Sequence, residues 1–300
     1  MRSNAKPQSP SPSLFNFNFN TKLILICAFF LLFLLLVFST TSSSTFPTQQ
    51  PSSTSSSISE SHVSSSTPCP SCTKIPPSLA NALIHYATTN TTPQQTFKEI
   101  SVSARVLEKK APCNFLVFGL GHDSLMWEAL NHGGRTVFLE EDKAWIEQMK
   151  HKFPGLESYH VEYSTKVHRS DALLETGLNE ESCKVVSDPR VSECELAHKG
   201  FPGEIYDVEW DLIMVDAPTG FHDEAPGRMN AIYTAGLMAR NREEGETDVF
   251  VHDVNRAVED KFSKAFLCEG YLREQQGLLR HFTIPSHRAG SATARQPFCP

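Results

Sequence analysis

From about residue 76 onward, apolar and polar positions fall into short apolar runs separated by helical stripes. Leu79, Ala82, Leu83 and Tyr86 recur at helical spacing. A second helix is expected to open at Thr92 as N-cap, with Pro93 first and Gln95 completing a capping box. Phe97, Ile100, Ala104 and Leu107 then form its apolar stripe. Strand and helix alternate beyond it. Strands are expected over 114–118, 136–139, 158–163, 211–215, 249–252 and 278–284. Helices are expected over 124–131, 142–152, around 229–239, and over 256–267. Such alternation implies a mostly parallel sheet covered by helices on both faces, an α/β domain with one core.

The first 75 residues differ in kind. Residues 23–38 are an unbroken apolar run, which as a helix spans about 24 Å, short against a hydrocarbon core of about 30 Å. Lys22 can snorkel, and the run suits the thinner membranes of the early secretory route. A cleaved signal peptide is the competing reading. The long polar leader and the lack of a small-x-small site after Phe38 weigh against it. Positive charge precedes the run (Arg2, Lys6, Lys22), which keeps that end cytoplasmic and sends the body into the lumen. The expected layout is a tail (1–22), a signal-anchor (23–38), a disordered Ser/Thr-rich stem (39–75) and a lumenal domain (76–300), a type II membrane protein.

Charge sharpens this picture. Residues 1–38 carry +3 of a net −7, leaving −10 on the remainder. An acidic body argues against nucleic acid as partner. Of eight cysteines, Cys27 lies in the apolar run, and seven remain for an oxidising compartment. Cys183 and Cys194 flank a polar loop and suit a bridge; Cys69 and Cys72 have no second pair at zinc spacing. Asn90-Thr91-Thr92 is a glycosylation sequon.

Chemistry-bearing residues gather at the expected strand ends. The first strand runs into Gly119-Leu120-Gly121, and about twenty residues on the second ends at Glu140. A glycine turn admits a ligand close to the backbone, and an acid there can take ribose hydroxyls. Ser124 replaces the third glycine of the dinucleotide fingerprint, which argues against NAD. The shorter Gly-x-Gly with its acid suits S-adenosylmethionine, although glycine turns also end strands for structural reasons. Asp216 ends one later strand, and His252, Asp253 and Asn255 end the next. Asp216, His252 or Asp253 could serve as base, and Asp216, Asp253 and Asn255 could hold a divalent metal ion; capping the loops is the alternative. Asp171 follows the third strand, where an acid can meet an adenine amino group or cap a loop. In the Pro- and Gly-rich loop 217–228, His222 and Arg228 are candidate substrate contacts, Arg228 through its planar fork on a carboxylate, with a solvated surface role the alternative for each.

Longer strings narrow the reading. Val117-Phe-Gly-Leu-Gly-His-Asp-Ser-Leu-Met-Trp127, Leu130-Asn-His-Gly-Gly-Arg-Thr136, Phe138-Leu-Glu-Glu-Asp142, Asp216-Ala-Pro-Thr-Gly220 and Pro226-Gly-Arg-Met-Asn-Ala-Ile-Tyr233 resemble the plant glucuronoxylan 4-O-methyltransferases over roughly residues 75–300. The resemblance implies a Rossmann-like class I methyltransferase domain in the Golgi membrane. It implies S-adenosylmethionine as cofactor, glucuronoxylan as acceptor, methylation of O4 of glucuronic acid, and other xylan-synthesis proteins as partners. One related branch acts on arabinogalactan; another supports xylan assembly without an assigned transfer. Gly121 sets this chain with the catalytic branches.

Overall fold

The computed structural model describes residues 75–289 and 297–300. The expected tail, the span at 23–38 and all but the last residue of the stem lie outside these residues, as do Cys69 and Cys72. Among the described residues no helix is long and apolar enough to cross a membrane.

Eight α-helices and seven strands make up the described chain: α1 (Pro77–Thr88), α2 (Phe97–Lys110), β1 (Asn114–Phe118), α3 (Ser124–Leu130), β2 (Arg135–Glu140), α4 (Lys143–Lys152), β3 (Glu157–His160), α5 (Ser170–Asn179), α6 (Gly203–Tyr206), β4 (Leu212–Val215), α7 (Met229–Asn241), β5 (Glu246–Val251), α8 (Ala257–Phe262), β6 (Leu272–Gln276) and β7 (Leu279–Pro285). The strands form one sheet in the order β3-β2-β1-β4-β5-β7-β6. The first five are parallel, and β7 runs antiparallel to β5 and β6. The order reverses between β1 and β4, which creates a crevice at the carboxyl ends of those strands.

Alternation along the strands divides the core. Phe115 and Val117 with Met214 and Phe250 face Val102, Trp127 and Ile146 from α2, α3 and α4. Leu116 and Phe118 with Val215 and Val251 face Tyr233, Leu237 and Phe262 from α7 and α8. Strands buried on both faces read as apolar runs, which is why β1, β4 and β5 were legible.

Four elements depart from expectation, and the short α6 was not expected either. The second helix starts at Phe97, with Thr96 as N-cap. Glu99 Oε2 accepts the Thr96 N–H at 2.6 Å, and Thr96 Oγ1 accepts the Glu99 N–H. Two overlapping capping boxes compete here, and the carboxylate wins over Gln95. A charged acceptor bonds more strongly, and Glu99 Oε1 also takes the Leu278 N–H at 2.6 Å. The helix expected over 256–267 breaks after Phe262 into a wider π-wound turn, Ser263–Cys268. β6 was not expected, because a solvent-facing edge strand with sequence LREQQ has no apolar alternation. α5 was hidden for a related reason, since it buries only Leu173 and Gly177.

Cys183 and Cys194 are bridged as expected; Cys268 and Cys299 form a second bridge that spacing did not disclose. It ties the chain end beside the π turn. Cys113 is a free, buried thiol.

Candidate active site

Sheet register assembles the site. Phe118 pairs with Leu139 on one side and Val215 on the other, and Val215 pairs with Val251. The next residue on each strand therefore emerges at one level: Gly119, Glu140, Asp216 and His252. A cleft of about 270 Å³ opens there, walled by Gly119, Gly121, Asp123, Glu140, Trp145 and Asp216 and roofed by Pro93–Gln95.

The glycine turn is held from several sides. Gly119 adopts φ +121°, and a Cβ there would lie 3.2 Å from that of Ala217, so the backbone must be bare. Glu140 Oε2 accepts the Leu120 N–H at 3.0 Å and Oε1 accepts the Asp142 N–H at 2.9 Å. Glu140 lines the cleft, and a carboxylate has lone pairs beyond those two bonds. Burial leads in raising the Glu140 pKa above the usual carboxylate value, although backbone N–H donors oppose it. Ser124 Oγ accepts the Gly121 N–H at 2.9 Å, so the residue that breaks the dinucleotide fingerprint closes the turn instead. Trp145 donates its indole N–H to the Leu120 carbonyl, and Tyr86 its hydroxyl to that of His122.

Asp216 presents the other wall. His252 Nδ1 lies 3.1 Å from its Oδ1, and Gln95 Nε2 donates to its Oδ2 at 3.1 Å. Burial favours the neutral acid, but the His252 hydrogen bond and the Arg228 charge outweigh it and hold the Asp216 pKa low. His252 is buried at 2% exposure behind Asp216. Burial opposes its charging, yet Asp216 and Asp253 prevail and raise its pKa above the ordinary value. Its Nε2 has no hydrogen-bond partner and faces Glu99 Oε2 at 3.9 Å. Asp253 has φ +62°, an unusual backbone for a non-glycine residue and a mark of a constrained site.

Arg228 occupies a different position from the one its fork suggested. It is 4% exposed and faces the protein. Its Nη1 donates to the His252 carbonyl at 2.9 Å, Nε to that of Pro218 at 3.3 Å, and Nη2 to the Asp216 carbonyl and to Asp253 Oδ2, the last at 2.8 Å. A guanidinium so engaged cannot grip a substrate carboxylate; it ties the tips of β4 and β5 to the start of α7. Three further candidates are exposed. Asp171 lies in the first turn of α5, its side chain 85% exposed and paired to Lys261 at 2.8 Å, away from the cleft wall. Asn255 is exposed, while one ligand atom each of Asp216, His252 and Asp253 lies within 4.8 Å of the others. His222 is exposed on the loop tip beside Phe221 and does not line the cleft.

Sequence reasoning missed Asp123 and Gln95. Asp123 lies on the cleft wall, where Trp127 Nε1 donates to its Oδ2 at 2.8 Å. Burial first, then the charge of Asp216, raises its pKa. The signal available was the i,i+4 spacing of Asp123 and Trp127. Gln95 could be found only once Glu99 had taken its capping role.

The model of the IRX15/IRX15L/GXM family matches residues 98–282. The chain belongs to this family. Three Arabidopsis thaliana glucuronoxylan 4-O-methyltransferases are 69–70% identical to it; number 3 of these aligns over 77% of this chain and 78% of its own. Arabinogalactan O-methyltransferase 2 of the same plant is 52% identical over 70% of this chain and 74% of its own. Protein IRREGULAR XYLEM 15 is 40% identical over 70% and 67%. Among solved structures, a methyltransferase-like protein from Silicibacter pomeroyi aligns over 65% of this chain and 89% of its own, with a TM-score of 0.37 and 16% identity.

Proposed function

We propose that this protein transfers a methyl group from S-adenosylmethionine to O4 of glucuronic acid side chains on glucuronoxylan. The carrying observation is the gradient of identity, from 69–70% to the glucuronoxylan enzymes through 52% to an arabinogalactan enzyme and 40% to IRREGULAR XYLEM 15. The cleft is consistent with it: a bare glycine turn beside Glu140 fits a nucleoside donor, and no third glycine supports a dinucleotide.

S-adenosylmethionine, when bound, supplies an already activated sulfonium methyl. The protein must then align an acceptor oxygen and receive its proton. Gly119 and Gly121 let the donor approach, and Glu140 offers free lone pairs for ribose hydroxyls. Holding the reactants in line contributes up to about 7–11 kcal/mol in ideal cases. Asp216 and Asp123 share the cleft, and their surroundings push their pKa values apart, which is the usual mark of divided roles. Asp216, held ionised, would balance the charge of a cationic donor in this cleft, and Asp123, with the raised pKa, would take the proton. His252, Asp253 and Gln95 fix Asp216 in place.

A second reading adds a divalent ion at Asp216, His252 and Asp253. Two carboxylate oxygens and an imidazole nitrogen are a donor set suited to a borderline cation, and such an ion would acidify the acceptor hydroxyl. Arg228 Nη2, 3.3 Å from Asp216 Oδ1 and 2.8 Å from Asp253 Oδ2, competes for that position. Activity of chelator-treated protein with and without added divalent ions separates the two.

We further propose that residues 23–38 anchor the protein in the Golgi membrane, its domain lumenal and working beside other xylan-synthesis proteins. Two disulfides, and a sequon at the exposed Asn90, support that compartment. The test is transfer from labelled S-adenosylmethionine to unmethylated glucuronoxylan, with the digested product examined for methyl at O4 and Glu140→Ala as control. Transfer to arabinogalactan alone would move the protein to that branch. Donor binding without transfer to either polymer would favour an assembly role.

A further inference from the structure

A second cavity, of about 350 Å³, opens where residues 193–200, between α5 and α6, meet Ser164 and the start of α7. His198 and Asn230 stand on its wall at 8% and 2% exposure. His198 Nε2 and Asn230 Oδ1 are nonetheless without a hydrogen-bond partner, and so is the hydroxyl of Tyr163, whose ring packs on that of His198 at 5.1 Å. Unpaired buried polar atoms are costly and call for a role.

These groups are also fixed. Thr234 Oγ1 accepts the His198 N–H at 2.9 Å, Tyr206 donates its hydroxyl to the His198 carbonyl at 2.9 Å, and Phe201 packs on the ring at 4.3 Å. Asn230 Nδ2 donates to the Leu196 carbonyl at 2.9 Å, which leaves Oδ1 as its free atom. Rigid, unpaired polar atoms around a cavity are a pre-organised site for a hydrogen-bonding ligand.

The chemistry of the wall selects the ligand. Burial lowers the His198 pKa to about 4, so the imidazole is neutral. Glu193 and Glu195 stand against the single cation Lys199, so an anion is disfavoured. A hydroxyl, which both donates and accepts, suits an amide oxygen and a neutral imidazole together. The location fits too. Asn230 follows Arg228 by two residues, about 3 Å of helix rise, and Arg228 touches Asp216 on the cleft. Thr165 Oγ1 donates to the Pro226 carbonyl at 2.9 Å, joining the cavity's edge to the loop between them.

We infer that this cavity binds a neutral sugar residue of the acceptor polymer through Asn230 and His198, seating the uncharged backbone while the uronic acid branch enters the cleft. This rests on the glycan-methylating function proposed above. It assigns to the two residues a share in acceptor binding and none in donor binding.

The test uses the full chain and an unbranched xylo-oligosaccharide carrying no uronic acid. In calorimetric titration the wild type is expected to bind it, and Asn230→Ala and His198→Phe to bind it at least fivefold more weakly. In the transfer assay it should compete with glucuronoxylan but not with S-adenosylmethionine. Each variant should raise the KM for glucuronoxylan about five- to tenfold, the loss of one neutral hydrogen bond, with donor affinity unchanged. His198→Gln, which keeps a polar atom, should recover part of the loss. Absence of binding to the wild type, or equal binding by folded variants, overturns the inference and leaves a cavity that holds only water. The titration needs no turnover, so failure of transfer would count against the proposed function and not against this site.

Discussion

Replacing Arg228 by Ala separates two roles that the same side chain could have. In the structure it is a buried tie: three carbonyls and the Asp253 carboxylate accept from it, and Glu259 Oε1 lies 3.7 Å from its Nε. Glu259 is 0% exposed and neither of its oxygens has a hydrogen-bond partner, so among the described residues Arg228 and Arg256 balance it. Removing one partner of a buried ion pair costs about 3–5 kcal/mol, because the remaining charges stay desolvated. At about 2–4 °C per kcal/mol for a domain of this size, Tm should fall by about 6–20 °C. Arg228→Lys should fall between, since a single ammonium cannot reach carbonyls on both strand tips.

The assay is thermal unfolding followed by circular dichroism, with calorimetric binding of S-adenosylhomocysteine at a temperature where the variant remains folded. Adding Glu259→Gln to Arg228→Ala should recover about 1–3 kcal/mol, since it removes the unpaired charge. A grip on substrate predicts the reverse pattern: a raised KM for glucuronoxylan with stability unchanged. An Arg228→Ala protein melting within about 2 °C of the wild type would refute the structural tie.

Three further outcomes are expected. Glu140→Ala should weaken binding of S-adenosylhomocysteine at least tenfold, the loss of a hydrogen bond to a charged group, with the far-ultraviolet spectrum unchanged. The acid limb of kcat/KM should lie above the usual carboxylate range. Asp123 has its pKa raised by burial and must be deprotonated to accept a proton, so activity falls as pH drops through that raised value; Asp123→Asn should abolish transfer while the donor still binds. Cys299→Ser should cost about 2–4 kcal/mol in chemical denaturation, because it opens a loop of 31 residues' separation.

The sheet was legible because its central strands are apolar on both faces and bounded by glycine or acid. β1 was read to the residue, and β4 and β5 within three. What stayed hidden depended on contacts distant in sequence. The start of α2 is decided by Leu278, which recruits Glu99 and so frees Gln95 for Asp216. At the site, Gly119, Gly121, Glu140 and Asp216 were found because strand register alone brings them together. Arg228 and Asp171 stand elsewhere than expected because the direction of a side chain at a strand or helix end is a tertiary property. Arg228 turns inward, where the carbonyls of Asp216, Pro218 and His252 and the Asp253 carboxylate accept from it.

With Arg228 engaged behind the wall, the cleft meets an acidic polymer with Glu140, Asp123 and Asp216 on its surface. Like charges in a partly enclosed site repel, so a uronate should enter poorly while the cleft is empty. A sulfonium donor brings a positive charge to these carboxylates, and the acceptor then meets a less negative site. Donor-first binding follows, driven by charge rather than by a moving lid. Initial-rate patterns should be sequential and ordered. Affinity for glucuronoxylan should be higher with a non-reactive donor analogue carrying an amine in place of the sulfonium than with neutral-centred S-adenosylhomocysteine, and the difference should shrink with added salt. Equal acceptor affinity with both analogues at low salt would show that the carboxylates of the cleft do not set the order.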